Sequence, residues 1–163
     1  MVHPSSVIYP CVVLGNNVYI GPNCIIGAPP EHKQYWNGSE YQDTGKQVII
    51  NDGTVIHGNV TIDQGTIHNT VIGRNCFIMK GAHIGHDALL ENDVTLSPHA
   101  IIGGHCEIGE GVNFGMGSII HQRAKVPKGC MIGMGAVITK KTDMWENGVF
   151  VGNPAYFLRA NNR

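Results

Sequence analysis

From residue 70 to residue 139 an apolar side chain recurs at every sixth position without a break: Ile72, Ile78, Ile84, Leu90, Leu96, Ile102, Ile108, Phe114, Ile120, Val126, Ile132 and Ile138. Two residues before each stands a second small or apolar residue, the series Thr70, Cys76, Ala82, Ala88, Val94, Ala100, Cys106, Val112, Ser118, Ala124, Cys130 and Ala136. A spacing of six fits neither the turn of an α-helix nor the long alternation of an ordinary strand. It is the hexapeptide signature of a parallel β-helix. Each hexad supplies one short strand and one turn, and the two marked positions share the strand face that points inward. The third residue after the apolar one is mostly Asn, Asp or Gly, as at Asn75, Asp87, Asp93, Gly111 and Gly129. Those types tolerate positive φ or bond to their own backbone, so they mark the turns. Three hexads close a triangular coil of about eighteen residues, and positions one coil apart stack roughly 4.8 Å from one another.

The same period opens the chain at Val2, Ile8, Leu14, Ile20 and Ile26, then fails from Ala28 to Gln47. There the stretch APPEHKQYWNGSEYQDTGKQ has no apolar register and is expected to leave the helix as an extruded loop over 28–47. Its aromatic residues Tyr35, Trp36 and Tyr41 suit stacking on a sugar or base, which favours a functional loop over one that merely packs on a neighbouring coil. The repeat resumes at Ile50, Ile56 and Ile62 and slips by four residues within QGTIHNTVIG before Ile72. That slip is expected to form a small bulge or lost turn. The expected architecture is all-β: a parallel β-helix domain over 1–139 and a tail over 140–163 that caps its open end.

With 163 residues and a formal charge of −1, the chain carries no basic footprint for nucleic acid or an anionic membrane. The expected partners are small molecules and further copies of the chain. The twelve inward apolar residues, at about 1.5 to 3 kcal/mol each when fully buried, sustain a long narrow core although aromatic residues make up only 7% of the sequence. Cys24, Cys76, Cys106 and Cys130 take the small inward position, and no C-x-x-C occurs. They read as reduced packing residues, and the odd total of five points to a cytoplasmic chain. No apolar run reaches transmembrane length, and the chain opens directly in repeat register, so neither membrane insertion nor a signal peptide is expected.

Candidate chemistry follows from the coil spacing. Ile84, Ile102 and Ile120 lie eighteen apart and share one edge, around which stand His83, His86, Asp87, Gly103, Gly104, His105, His121 and Gln122. His86 and Gly104 are also eighteen apart, which puts an imidazole about one rung from a glycine backbone. This pairing suits acyl transfer: a histidine takes the proton of an incoming hydroxyl or amine, and a backbone N–H binds the oxyanion. Asp87 or another acceptor would fix the imidazole tautomer. Any one of these histidines is as readily a solvated turn residue, but four on one edge favour a site. His99 reads as surface, and His3, His32, His57 and His68 are individually uninformative.

The segment AHIGHDALLENDVTLSPHAIIGGHCEIG, followed by IIHQ, resembles the UDP-N-acetylglucosamine O-acyltransferases of lipid A biosynthesis, over roughly Pro30 to Gln122 and most specifically in Ala82 to Asp87. The resemblance implies a left-handed β-helix, a hand opposite to the usual crossover rule, and a homotrimer with active sites between subunits. It implies His86 as general base, Asp87 as its partner and the Gly104 amide as oxyanion donor. His83, His105, His121 and Gln122 would line the cleft and contact substrate. Three departures bear on substrate identity. The family's PQDLKY is here Pro30-Glu31-His32-Lys33-Gln34-Tyr35, so His32, Gln34 and Tyr35 are the residues assigned to the acceptor. The family's TIHRGT is Thr61-Ile62-Asp63-Gln64-Gly65-Thr66, and the helical domain that helps dock acyl carrier protein is not found before the chain stops soon after Arg159. The tail VFVGNPAYFLR is similar to the ends of hexapeptide sugar acetyltransferases, which use acetyl-CoA.

The expected function is transfer of an acyl group, most simply acetyl, from a CoA thioester to a hydroxyl or amine of a nucleotide-linked sugar. Acetyl-CoA or another thioester is then a co-substrate, and no bound cofactor or metal is expected. An acyl carrier protein-dependent enzyme is the alternative within the class. A zinc enzyme similar to the γ-type carbonic anhydrases is the alternative outside it. Those enzymes bind zinc with three histidines, two of them five apart, and no pair among His83, His86, His99, His105 and His121 has that spacing.

Overall fold

Each hexad of the periodic region forms a two- or three-residue strand that ends on the apolar position, as in Phe77–Ile78, His83–Ile84 and Leu89–Leu90. The computed structural model describes residues 1–162. Its strands stack into three sheets of seven, six and eight strands, the faces of a left-handed triangular prism. Pairing is parallel and offset by one coil: Ile84 faces Ile102, Leu90 faces Ile108 and Leu96 faces Phe114. The inward series is buried from Val18 on, with Val2 exposed and Ile8, Val12 and Leu14 half-buried at the open first coil, and Cys24, Cys76, Cys106 and Cys130 are buried free thiols among it. Burial pushes the Cys106 thiol up to about 11, so it is protonated packing material and no nucleophile.

Two irregularities break the eighteen-residue register. Val12 pairs with Val48, thirty-six positions on, so the interruption takes the length of one whole extra coil. Strand Ile25–Ala28 runs into it with a register shift beside Gly27, and the excursion contains a single 3-10 turn, Lys33–Tyr35. Buried Gln64 fastens the base of this loop: its amide donates to Asp43 Oδ1 at 2.7 Å and to the Lys46 carbonyl at 2.8 Å, and its Oε1 accepts from Thr44 N–H. The second irregularity is the four-residue slip. Val48 pairs with Thr70, twenty-two positions on, and the added residues bulge outward between Asp63 and Thr70 at one corner of the prism.

The tail continues the prism before it ends. Strand Gly148–Gly152 lies parallel to Met131–Ile132 with Phe150 opposite Ile132, one coil on, so the repeat extends beyond residue 139. Ala155–Ala160 then folds back antiparallel on it, and Trp145, Phe150 and Phe157 pack edge-on or tilted at that end. Among the described residues no helix is long and apolar enough to cross a membrane.

Candidate active site

Turns Gly85–Ala88, Gly103–Cys106 and His121–Ala124 leave the seven-stranded sheet at one corner, directly above the slip. Here the left-handed backbone position is taken by Asp87, His105 and Arg123, with φ of 59°, 58° and 63°, whereas the other corners fill it with Asn75, Asp93, His99 or glycines such as Gly111 and Gly129.

Asp87 is the centre of the corner. Its side chain is fully buried, and the slip wraps around it. Oδ2 accepts from the Thr66 N–H at 2.9 Å, the Thr66 hydroxyl at 2.6 Å and His86 Nδ1 at 2.7 Å. Oδ1 accepts from the N–H groups of Ile67 and His68 at 2.8 and 2.6 Å. Burial by itself would raise the carboxyl, but these hydrogen bonds outweigh it and hold Asp87 well below the usual carboxylate range. An ionised carboxylate can only accept, so His86 carries its proton on Nδ1 and presents the Nε2 lone pair outward.

That lone pair rests on Gly104. A Cβ added to Gly104 would lie 2.7 Å from His86 Nε2, so the close approach requires glycine. The Gly104 N–H finds no acceptor among the described residues. His105, one rung above Asp87, sets its ring edge-on to His86 at 4.9 Å, with Nε2 3.8 Å from Asp87 Oδ2. Burial lowers the His105 imidazole below its ordinary value, with Arg123 and His86 adding to the effect and Asp87 opposing it.

A cavity of about 440 Å³ opens beside His86 and Gly104, lined also by Thr61, Asp63, His83 and Glu31. His83 Nδ1 and Thr61 Oγ1 share a 2.8 Å hydrogen bond, and His83 Nε2 stands 3.8 Å from Asp63 Oδ2. Burial lowers the His83 imidazole against the opposing charge of Glu31. Burial first, and then Glu31, push the Asp63 carboxyl up to about 7. Across the corner a second cavity of about 660 Å³ is bounded by His68, Asp87, His105, Arg123 and Lys125.

His83, His86, Asp87, Gly104 and His105 thus converge on this corner. His121 and Gln122 lie one rung further along and are exposed, with His121 Nδ1–H donating to the Gln122 carbonyl at 3.0 Å. His32, Gln34 and Tyr35 sit in the loop's 3-10 turn, where His32 Nδ1 accepts from Gln34 N–H at 3.3 Å; Glu31, and none of these three, lines the His86 cavity. Trp36 and Tyr41 pack on each other at a tilt of 57°, ring centroids 5.1 Å apart. Sequence reasoning did not assign Asp63, Thr66, Glu31 or Arg123 to the site, and it set His68 aside. Glu31 and Asp63 left a trace, as departures from the family pattern. One ligand atom from each of His86, Asp87 and His105 falls within 4.8 Å of the others. This is not the three-imidazole set of the zinc alternative, and five hydrogen bonds already saturate the Asp87 oxygens.

A left-handed prism of hexapeptide coils with a His–Asp pair at one corner defines a hexapeptide-repeat protein with a candidate acid–base site. The sequence profile of the bacterial transferase hexapeptide family (six repeats) matches residues 1–28, 69–104 and 87–122, and that of the hexapeptide repeat of succinyl-transferase matches 106–140. The chain belongs to the bacterial hexapeptide-repeat transferase family. It is 30% identical over 188 residues to an acyl-(acyl-carrier-protein)-UDP-N-acetylglucosamine O-acyltransferase of Stutzerimonas stutzeri, covering 95% of this chain and 72% of that one. Against the protein of the same name from Sinorhizobium fredii the identity is 28% over 151 residues, covering 91% and 53%. The crystal structure of a UDP-N-acetylglucosamine acyltransferase from Bacteroides fragilis superimposes with a TM-score of 0.87 at 26% identity, over 98% of this chain and 60% of that one. The chain spans about half the length of several curated relatives that it matches.

Proposed function

We propose that the protein is an acyltransferase that moves an acyl group, most simply acetyl, from a CoA thioester to a hydroxyl or amine of a nucleotide-linked sugar. The observation that carries this reading is the Asp87–His86 pair with its free Nε2 set against the Gly104 backbone. His86 Nε2 takes the acceptor's proton as its oxygen or nitrogen attacks the thioester carbonyl. The oxyanion accepts from the Gly104 N–H, the C–S bond breaks, and the thiolate recovers the proton from the imidazolium. Asp87 stays ionised throughout and steadies that cation. The site is open on one side, and outward-facing Val7 and Ile25 below it and Ile101 and Ile119 above it are exposed apolar pairs on the seven-stranded sheet. Both features support a homotrimer whose neighbouring prism closes the cleft. The reduced, buried thiols support a cytoplasmic setting.

His86→Ala is expected to lower kcat by about 10² to 10⁴ with acetyl-CoA affinity retained. Turnover within threefold of wild type would overturn the assignment. A second donor, an acyl carrier protein thioester, is favoured by the names of the relatives, whereas the similarity of the VFVGNPAYFLR tail to sugar acetyltransferases favours CoA. Competition between acetyl-CoA and acyl carrier protein thioesters in one assay separates the two.

A further inference from the structure

The cavity beside His86 is bounded by two carboxylates and two imidazoles, and neither Lys nor Arg is among its described lining residues. This charge is unusual for a pocket assigned to a nucleotide-linked substrate, because carboxylates repel a diphosphate. The reacting end of the acceptor, and not its phosphates, must therefore occupy it. Asp63 ends a three-residue strand and reaches the cavity from the rung below His83. Its side chain is 18% exposed, and among the described residues its nearest cationic or donor partner is His83 Nε2 at 3.8 Å, beyond hydrogen-bond distance. Burial lowers the His83 imidazole, its other nitrogen is shared with Thr61, and at 3.8 Å it makes no hydrogen bond to this carboxylate.

We infer that Asp63, supported by Glu31, is the specificity-determining residue that selects a nucleotide-linked amino sugar and directs acylation to its amine. The inference rests on the acyl-transfer reading and narrows it to the formation of an amide. A hydroxyl offers such a carboxylate a hydrogen bond alone, whereas an ammonium offers both N–H donors and a charge opposite to those of Asp63 and Glu31. Burial first, and then the Glu31 charge, raise the Asp63 carboxyl, and a cation bound between the two acids would oppose both effects. The step closes as follows. The bound ammonium gives one proton to the Asp63 carboxylate, and the freed electron pair forms the C–N bond to the thioester carbonyl. The C–S bond breaks, the second nitrogen proton passes through His86 Nε2 to the thiolate, and Asp63 releases its proton to water.

The test compares UDP-glucosamine and UDP-3-amino-3-deoxyglucose with UDP-glucose, as ligands by calorimetry and as acceptors with acetyl-CoA, for wild type, Asp63→Asn and Glu31→Gln. The expected result is that at least one amino sugar binds about 10- to 100-fold more tightly than UDP-glucose and yields an amide. Asp63→Asn is expected to remove most of that preference through KM, and Glu31→Gln a smaller part. Equal binding of amino and hydroxyl sugars by wild type, or a preference that survives Asp63→Asn, overturns the inference while leaving acyl transfer intact. Tighter amine binding that depends on Asp63, without turnover of any thioester, upholds amine recognition and overturns the transferase reading instead. Should Asp63→Asn not fold, as judged by its melting curve, Asp63→Glu and Glu31→Gln carry the same comparison.

Discussion

Asp87 sits where a carboxylate would be costly without partners, and every partner it has is a donor. Four come from the slip, three of them backbone N–H groups, and the fifth is the base it orients. Its folded-state pKa lies below the ordinary carboxylate value near 3.9, so the stability it contributes is fully present above about pH 5 and is lost as pH falls through the folded value. Asp87→Asn forfeits that contribution and places an amide N–H₂ among donors. The melting temperature of the variant is expected to lie below wild type by a constant amount between pH 5 and 8, with the gap closing as pH falls below about 4. A gap that is unchanged down to pH 2 would show that ionisation of Asp87 does not support the fold.

At the scale of elements, the slip is the piece that separates this corner from the other two. Removing four residues from Gly65–His68 would restore an eighteen-residue coil without changing the phase of anything downstream, since pairing resumes in register on either side. The variant is expected to fold, to keep its β-sheet circular dichroism, and to lose at least about 10²-fold in kcat, because His86 would be left without an anchored partner. Retained kcat would show that Asp87 needs no clasp. The strands and their order were legible beforehand because period six is written in side-chain type: Ile, Leu and Val inside, Gly, Asn and Asp at the bends. The role of the slip was not, because its work is done by backbone N–H groups that any residue possesses. Asp63 was hidden for another reason. Sequence spacing places it on an outward face, and only the three-dimensional approach of Glu31 from an irregular loop creates the pocket that gives its charge a use.

For the whole molecule, the prism exposes Val7 and Ile25, and then Ile101 and Ile119, at 53%, 42%, 39% and 42% on one face, two apolar pairs on either side of Thr61 and His83 that ask for a neighbour. Light scattering is expected to report three copies per particle at micromolar concentration, and an active monomer would remove the argument for a shared cleft. The clasp around Asp87 has a further consequence in the time domain. Thr66, Ile67 and His68 lie in a bulge, where amide hydrogens ordinarily exchange with solvent freely, yet all three are tied to one carboxylate. Their exchange should be slow and, because a single group releases them, should accelerate together in Asp87→Asn while neighbouring strand amides are unmoved. A trio of loop amides thereby becomes a clock for how long the general base keeps its partner.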